Sequence, residues 1–174
     1  KKEKNKYTFR HFFTKTFGQR RTRAIIEDSN GWIWVGNSDG VYVFSPDSLQ
    51  ADPQNYLTYN YNNGKLRSNE IKCIYQDTQN RIWIGSSGGG LSMCIPGTDY
   101  RNLTFKHYGT SNGLVNDMVQ AIAEDKQGNL WIATEYGISR FNPETQAFDN
   151  YFFSAYTLGN VYSDNSSCVS KNGS

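Results

Sequence analysis

The chain has 174 residues, a length usually folded as one domain, with 18 Lys and Arg against 16 Asp and Glu and a formal net charge of +2. So small a basic excess argues against a dedicated nucleic-acid binder, and no apolar run approaches the roughly 20 residues of a membrane helix. Cys73, Cys94 and Cys168 stand at no Cys-x-x-Cys spacing, which disfavours a disulfide scaffold or a zinc centre.

Residues 1–6, with four Lys and one Glu, read as a solvated linker; no apolar stretch follows them, so they are not a signal peptide. An aromatic pair, Phe9-x-x-Phe12, then lies in a strand-like segment from Tyr7 to Phe13. The first full copy of a repeat follows as Ala24-Ile25-Ile26-Glu27-Asp28, Gly31-Trp32-Ile33-Trp34-Val35-Gly36 and Gly40-Val41-Tyr42-Val43-Phe44-Ser45-Pro46. The second reads Cys73-Ile74-Tyr75-Gln76-Asp77, Arg81-Ile82-Trp83-Ile84-Gly85 and Gly90-Leu91-Ser92-Met93-Cys94-Ile95-Pro96. The third reads Ala121-Ile122-Ala123-Glu124-Asp125, Gly128-Asn129-Leu130-Trp131-Ile132-Ala133 and Gly137-Ile138-Ser139-Arg140-Phe141-Asn142-Pro143. Asp28, Asp77 and Asp125 recur at 49 and 48 residues, and Trp34, Trp83 and Trp131 recur with them. Further aromatic pairs stand at Tyr56/Tyr59, Phe105/Tyr108 and Phe148/Tyr151.

Each unit offers four short runs rich in Ile, Val, Trp, Tyr and Phe, punctuated by Gly, Asn, Asp and Pro, which predicts four β-strands per repeat. The Asp-x-x-Gly/Asn segments suit tight hairpins, because Asp bonds its own turn and Gly or Asn tolerates positive φ. The Pro after each third strand ends it, and no stretch keeps a 3.6-residue period, so almost no helix is expected. The fold class is all-β: a β-propeller of four-stranded blades, with a wide-unit solenoid as the lesser alternative. The units run over about 7–59, 60–108 and 109–152, with the start of another at 153–174, where Lys171-Asn172-Gly173-Ser174 matches Lys126-Gln127-Gly128-Asn129. About three and a half blades are too few for a closed ring. The expectation is a fragment of a larger ring, or a homodimer of two half-rings that cover each other's open edges.

The third copy, Ala121 to Thr134, and the linking Asn112-Gly113-Leu114-Val115-Asn116-Asp117 resemble the two-component regulator propeller repeat. That resemblance spans residues 7 to 174; the second copy departs most, with Gln76, Asn80 and Cys94 where the pattern has Glu, Gly and an aromatic. It implies the periplasmic sensor of a bacterial hybrid histidine kinase, commonly two seven-bladed propellers ahead of an immunoglobulin-like domain. Kinase, receiver and DNA-binding parts lie elsewhere in such proteins, so any membrane or nucleic-acid contact belongs to them. It also implies an oligosaccharide ligand derived from a polysaccharide and no catalysis by this segment; the residues themselves give no reason to expect a cofactor or metal.

The repeating residues read as architecture: Trp34, Trp83 and Trp131 pack blade on blade, and Asp28, Asp77 and Asp125 cap turns. Adjacent Glu-Asp side chains point to opposite strand faces, which does not place two carboxyls across one sugar bond. His11 and His107 share an outer-strand position, and Cys73 aligns with Ala24 and Ala121 as a small buried residue. Gly88-Gly89-Gly90 lacks the Lys of a phosphate loop. Recognition is expected instead of non-repeating residues in loops at one end of the strands. The outer-to-inner crossovers supply Arg20, Arg21, Arg23, Asn69, Glu70, Asn116 and Asp117; the second turns supply Asn37, Asp39, Ser86, Glu135 and Tyr136. The arginines offer planar forks for carboxylate or sulfate, which suits an acidic sugar. Tyr136, Tyr156 and Trp32 are candidate stacking platforms.

Overall fold

A computed structural model describes residues 20–52 and 55–152; the readings made for residues 1–19, including His11, and for 153–174, including Tyr156, lie outside it. Twelve strands among the described residues form three antiparallel sheets in chain order. The first blade comprises β1 (Ala24–Glu27), β2 (Ile33–Asn37), β3 (Gly40–Phe44) and β4 (Leu57–Tyr59). The second comprises β5 (Ile71–Gln76), β6 (Ile82–Ser86), β7 (Gly90–Cys94) and β8 (Lys106–Tyr108). The third comprises β9 (Val119–Glu124), β10 (Leu130–Thr134), β11 (Gly137–Asn142) and β12 (Ala147–Tyr151). The chain is thus all-β and propeller-like, and the second aromatic of the pair after each copy, Tyr59, Tyr108 and Tyr151, ends its outer strand.

The prolines depart from the reading once. Pro46 does end β3, but it opens α1 (Pro46–Ala51), where Ser45 caps the helix by accepting from the Ser48 amide at 3.1 Å. A fixed φ and a missing N–H make Pro suit a first helical turn, and Ser beside it supplies the cap. Six residues are too few to show a helical period in sequence.

Every hairpin between a first and second strand is organised by its aspartate. In the second blade, Asp77 Oδ1 accepts from the amides of Gln79 (3.0 Å) and Arg81 (2.9 Å), while Oδ2 accepts from the Trp83 indole at 2.7 Å and from Arg81 Nε at 2.5 Å. Asp28 accepts the Trp34 indole at 2.8 Å and Asp125 the Trp131 indole at 3.0 Å, each with the same two turn amides. The loops close with a residue at positive φ, Gly31 (79°), Asn80 (61°) and Gly128 (80°), as a three-residue hairpin requires. A turn signal and a core anchor are therefore one interaction.

The tryptophans so fixed face the following blade. Trp34 joins Val41 and Val43 against Ile71, Ile74, Ile82 and Ile84, and Trp83 joins Leu91 and Tyr108 against Val119, Ile122, Leu130 and Phe141. Trp34 and Trp83 are 0% and 1% exposed; Trp131, with no described blade beyond it, is 36% exposed. Close approach at the inner strands demands glycine: a Cβ at Gly36 would lie 2.6 Å from Ile71 Cγ2, and one at Gly85 would lie 2.5 Å from Val119 Cγ1. Cys73 and Cys94 are buried in these seams, as a small hydrophobe would be, and burial pushes the Cys94 thiol up to about 12.

Two of the side chains that precede the aspartates, Gln76 and Glu124, act between blades. Gln76 Oε1 accepts the Ser29 amide at 2.9 Å, and Glu124 accepts the Thr78 amide at 2.9 Å and its hydroxyl at 2.7 Å. Glu and Gln both serve here because each presents an acceptor to the neighbouring turn amide; Gln76 Nε2 also donates to Ser29 Oγ at 3.2 Å.

Asp77→Ala takes the acceptor from four donors, the fully buried Trp83 indole among them, and is expected to cost about 3–5 kcal/mol, against roughly 1 kcal/mol for Asp125→Ala at the open face. Urea unfolding of both variants measures the difference, and equal costs would refute the hub's dependence on burial.

Candidate functional site

The second turns of each blade and the crossovers between blades emerge at one end of the strands, so the sequence-nominated loops do converge. They are tied from blade to blade. The Ser87 amide donates to the Glu70 carbonyl at 2.9 Å, Ser87 bridges to Met118, and the Glu135 amide donates to the Met118 carbonyl at 3.1 Å. Ser68 Oγ adds a bond to the Ser87 carbonyl at 2.8 Å.

The nominated residues divide by what their side chains are doing. Asn37 Oδ1 accepts the Asp39 amide (2.7 Å), Asn69 Oδ1 the Tyr61 amide (2.7 Å) and Asn116 Oδ1 the Met118 amide (2.8 Å). Asp117 accepts the Thr110 amide at 2.8 Å and hydroxyl at 3.1 Å, and buried Ser86 Oγ donates to the Gly90 carbonyl at 3.3 Å. These five shape the turns. The others face outward or bridge blades: Arg20 pairs with Asp39 at 3.2 Å, Arg23 with Glu70 at 2.9 Å, and Arg21 and Tyr136 are exposed.

Two further candidate positions escaped the sequence reading. Lys72 and Gln120 occupy the repeat position of Arg23, one residue before Ala24, Cys73 and Ala121, at the mouth of the inner strands. Lys72 reaches Glu70 at 3.8 Å, and Gln120 Nε2 donates to Glu135 Oε1 at 3.1 Å, while its buried Oε1 has no hydrogen-bond partner among the described residues. Reading down the repeat column, rather than searching for singular clusters, would have found them. Arg23, Glu70, Lys72, Gln120 and Glu135 thus alternate cation, carboxylate and amide across three blades. Such a row can meet sugar hydroxyls in both senses, as donor and as acceptor. Tyr42 donates to Asp39 Oδ2 at 3.0 Å, and burial, with Asp39 beside it, pushes the phenol up to about 12.

Trp32 lies at the other end of the blade. Its ring is stacked on Tyr100 at 4.0 Å and 4°, so that face is no platform for a ligand. Tyr100 comes from the longer β7–β8 connection of the second blade and donates to Asp28 Oδ2 at 2.6 Å; burial, then this carboxylate, raises its phenol. At that same end an open cavity of about 550 Å³ is lined by Ile95, Thr98, Asp99, Asn102, Leu103 and Lys106. Among the described residues no cluster of His, Cys, Asp and Glu could hold a metal ion. His107 lies at its outer-strand position with Nδ1 2.9 Å from Ser92 Oγ, and burial, then Arg67, lowers its pKa.

The two component regulator propeller model matches residues 17–39, 65–88 and 113–136. Each match ends just beyond a second strand, in the turns described above. Across 94% of this chain and 21% of the other, the fold superposes at a TM-score of 0.76, with 27% identity, on an extracellular domain from B. thetaiotaomicron named for the hybrid two component system BT3049. Histidine kinase P4 of Formosa agariphila is 23% identical over 147 residues, which is 84% of this chain and 10% of that protein. Virginiamycin B lyase from Staphylococcus aureus shares the fold alone, at 12% identity and a TM-score of 0.58 over 82% of this chain and 44% of its own. The chain therefore spans a small part of either signalling relative.

The lowered His107 pKa gives a pH dependence of fixed sign. Between the folded value and the ordinary 6.5 the unfolded chain binds the extra proton, so stability falls as pH drops through 6.5 and levels off below the folded value. His107→Gln is expected to remove this component, seen as a flatter slope of melting temperature between pH 7 and 5; an unchanged slope would exclude His107 as its source.

Proposed function

From the premise that this chain is built of two-component regulator propeller repeats, we propose that it is a non-catalytic sensing segment of a hybrid two-component kinase, lying outside the cytoplasmic membrane. Its ligand is an oligosaccharide released from a polysaccharide, held at the loop end. The observation that carries this reading is the set of paired polar side chains at that end of three blades, Arg23–Glu70–Lys72, which links the first blade to the second, and Gln120–Glu135 in the third, with exposed Tyr136 beside it. Sugar recognition asks for paired donors and acceptors with an aromatic face nearby, and rigid strands beneath the loops hold both in place.

A signal follows from the same arrangement. The crossovers are bonded to the neighbouring turn through Ser87 and Met118, so a ligand that prefers one packing of adjacent blades shifts the equilibrium toward it by its difference in affinity. The carboxylates that would serve an enzyme are occupied as hairpin and inter-blade acceptors, which favours sensing over sugar-bond cleavage.

Calorimetric titration of the 174-residue chain with neutral and acidic oligosaccharides tests the reading. Saturable binding of one class is expected, weakened ten-fold or more (about 1.4 kcal/mol) by Tyr136→Ala. For an acidic class, Arg20→Ala, Arg21→Ala and Arg23→Ala together should abolish it. Silence across the panel from a folded chain would overturn the sugar-sensing reading and favour a docking role.

A further inference from the structure

We propose, resting on the sugar-sensing reading, that Gln120 and Asn37 set the class of that sugar: a neutral oligosaccharide, in preference to an acidic one. Each holds a buried polar atom with no hydrogen-bond partner among the described residues, Gln120 Oε1 and Asn37 Nδ2. Gln120 is 2% exposed and Asn37 0%.

The turn does not require the spare donor of Asn37. In the third blade Thr134 stands in its column, and one hydroxyl closes the turn both ways. It accepts the Tyr136 amide at 3.1 Å and donates to the Gly137 carbonyl at 2.9 Å, which leaves nothing over. Ser86 likewise donates to the Gly90 carbonyl at 3.3 Å. Asn37 accepts the Asp39 amide through Oδ1 at 2.7 Å and keeps its N–H group unused.

Gln120 stands where its strand is interrupted. Val119 pairs with Thr134 and Ala121 with Ala133, so Gln120 is the extra residue of a β-bulge, as Lys72 is between Ile71 and Cys73. Bulges re-aim a side chain and gather beside binding sites. Lys72 meets Glu70 at 3.8 Å with an ammonium that carries donors alone. Gln120 meets Glu135 through Nε2 at 3.1 Å and has an acceptor left over. Reversing either amide would set two oxygens together at Glu135, or two N–H groups together at Asp39, so the sense of each unpaired atom is fixed.

The two atoms select the ligand by what they lack. A buried polar group left unpaired bears the full cost of its desolvation, so each favours a ligand that completes it. Gln120 Oε1 needs a donor and Asn37 Nδ2 an acceptor. Sugar hydroxyls supply both, whereas carboxylate and sulfate oxygens only accept and would face Glu135. The neighbouring cations already have carboxylates: Arg20 has Asp39, and Arg23 and Lys72 share Glu70. Both atoms are covered, so hydroxyls reach them as the half-buried Glu135 and Asp39 side chains swing out. The Glu135 amide holds the Met118 carbonyl at 3.1 Å, and Met118 bridges to Ser87 of the second blade. Recognition at Gln120 therefore acts on the crossover that ties the third blade to the second.

Calorimetry on the 174-residue chain tests the proposal, with hexasaccharides of glucose, xylose and mannose beside hexasaccharides of galacturonate and mannuronate. A neutral class is expected to bind at least ten-fold tighter than either acidic one. Gln120→Met keeps the length of the side chain and removes the acceptor, and should weaken that binding ten-fold or more. It should also raise the melting temperature of the free chain by about 2–4 °C, because no unpaired acceptor remains. Asn37→Thr, which installs the residue of the third blade, should act in the same two directions and serves if Gln120→Met does not fold. A merely structural role gives the opposite pair, unchanged binding and a lower melting temperature, and that result in either variant would overturn the proposal. Tighter binding of an acidic class would overturn it while leaving the sugar-sensing reading intact; silence across the panel would overturn both.

Discussion

A single carboxylate per blade carries the architecture. Its two oxygens do different work: one closes the hairpin onto two backbone amides, and the other holds an indole N–H that would otherwise be buried without an acceptor. Tryptophan can then present its full ring to the next blade without stranding a polar atom. Hairpin shape, rotamer and inter-blade seam are thereby coupled. The remaining partner of each Asp varies, Tyr100 from the next blade for Asp28, Arg81 for Asp77 and Asn129 for Asp125, so the hub tolerates change at its edge while its centre repeats.

Much of the fold was legible because its determinants are local. Alternating apolar residues, Asp-x-x-Gly turns and the recurrent Trp lie within a few residues of what they organise, and Asn80 replaced Gly at positive φ without altering the turn. What escaped the reading is non-local or short. Tyr100 reaches Asp28 across 72 residues, and Gln76 and Glu124 reach back a whole blade, about which adjacent letters say nothing. The α1 helix fits within six residues, below the length at which a period declares itself.

The loop end was half legible for a related reason. Turn-forming Asn and Asp look like ligand-binding groups in sequence, because both uses want a short side chain with acceptors. Only coordinates separate Asn69 and Asn116, spent on backbone amides, from Arg23 and Glu70, which span two blades. Singularity drew attention to the arginine cluster, yet its members Arg20 and Arg23 each meet a carboxylate of their own chain. An external anion must compete with those carboxylates, whereas a neutral polyol can bond to the pairs as they stand. Lys72 and Gln120, hidden by sharing a column with Arg23, extend the row to all three blades.

The inter-blade acceptors Gln76 and Glu124 have a consequence for assembly. Each leaves the front of one blade and lands on the hairpin of the blade before it, never the reverse, so the seams have a direction. A directional seam is heterologous: the surface it offers differs from the surface it accepts. Two copies cannot satisfy it by pressing their Trp131 faces together about a two-fold axis. Copies meeting through these faces must follow head to tail, closing into a ring where the rotation per unit divides the circle and running on as an open array where it does not.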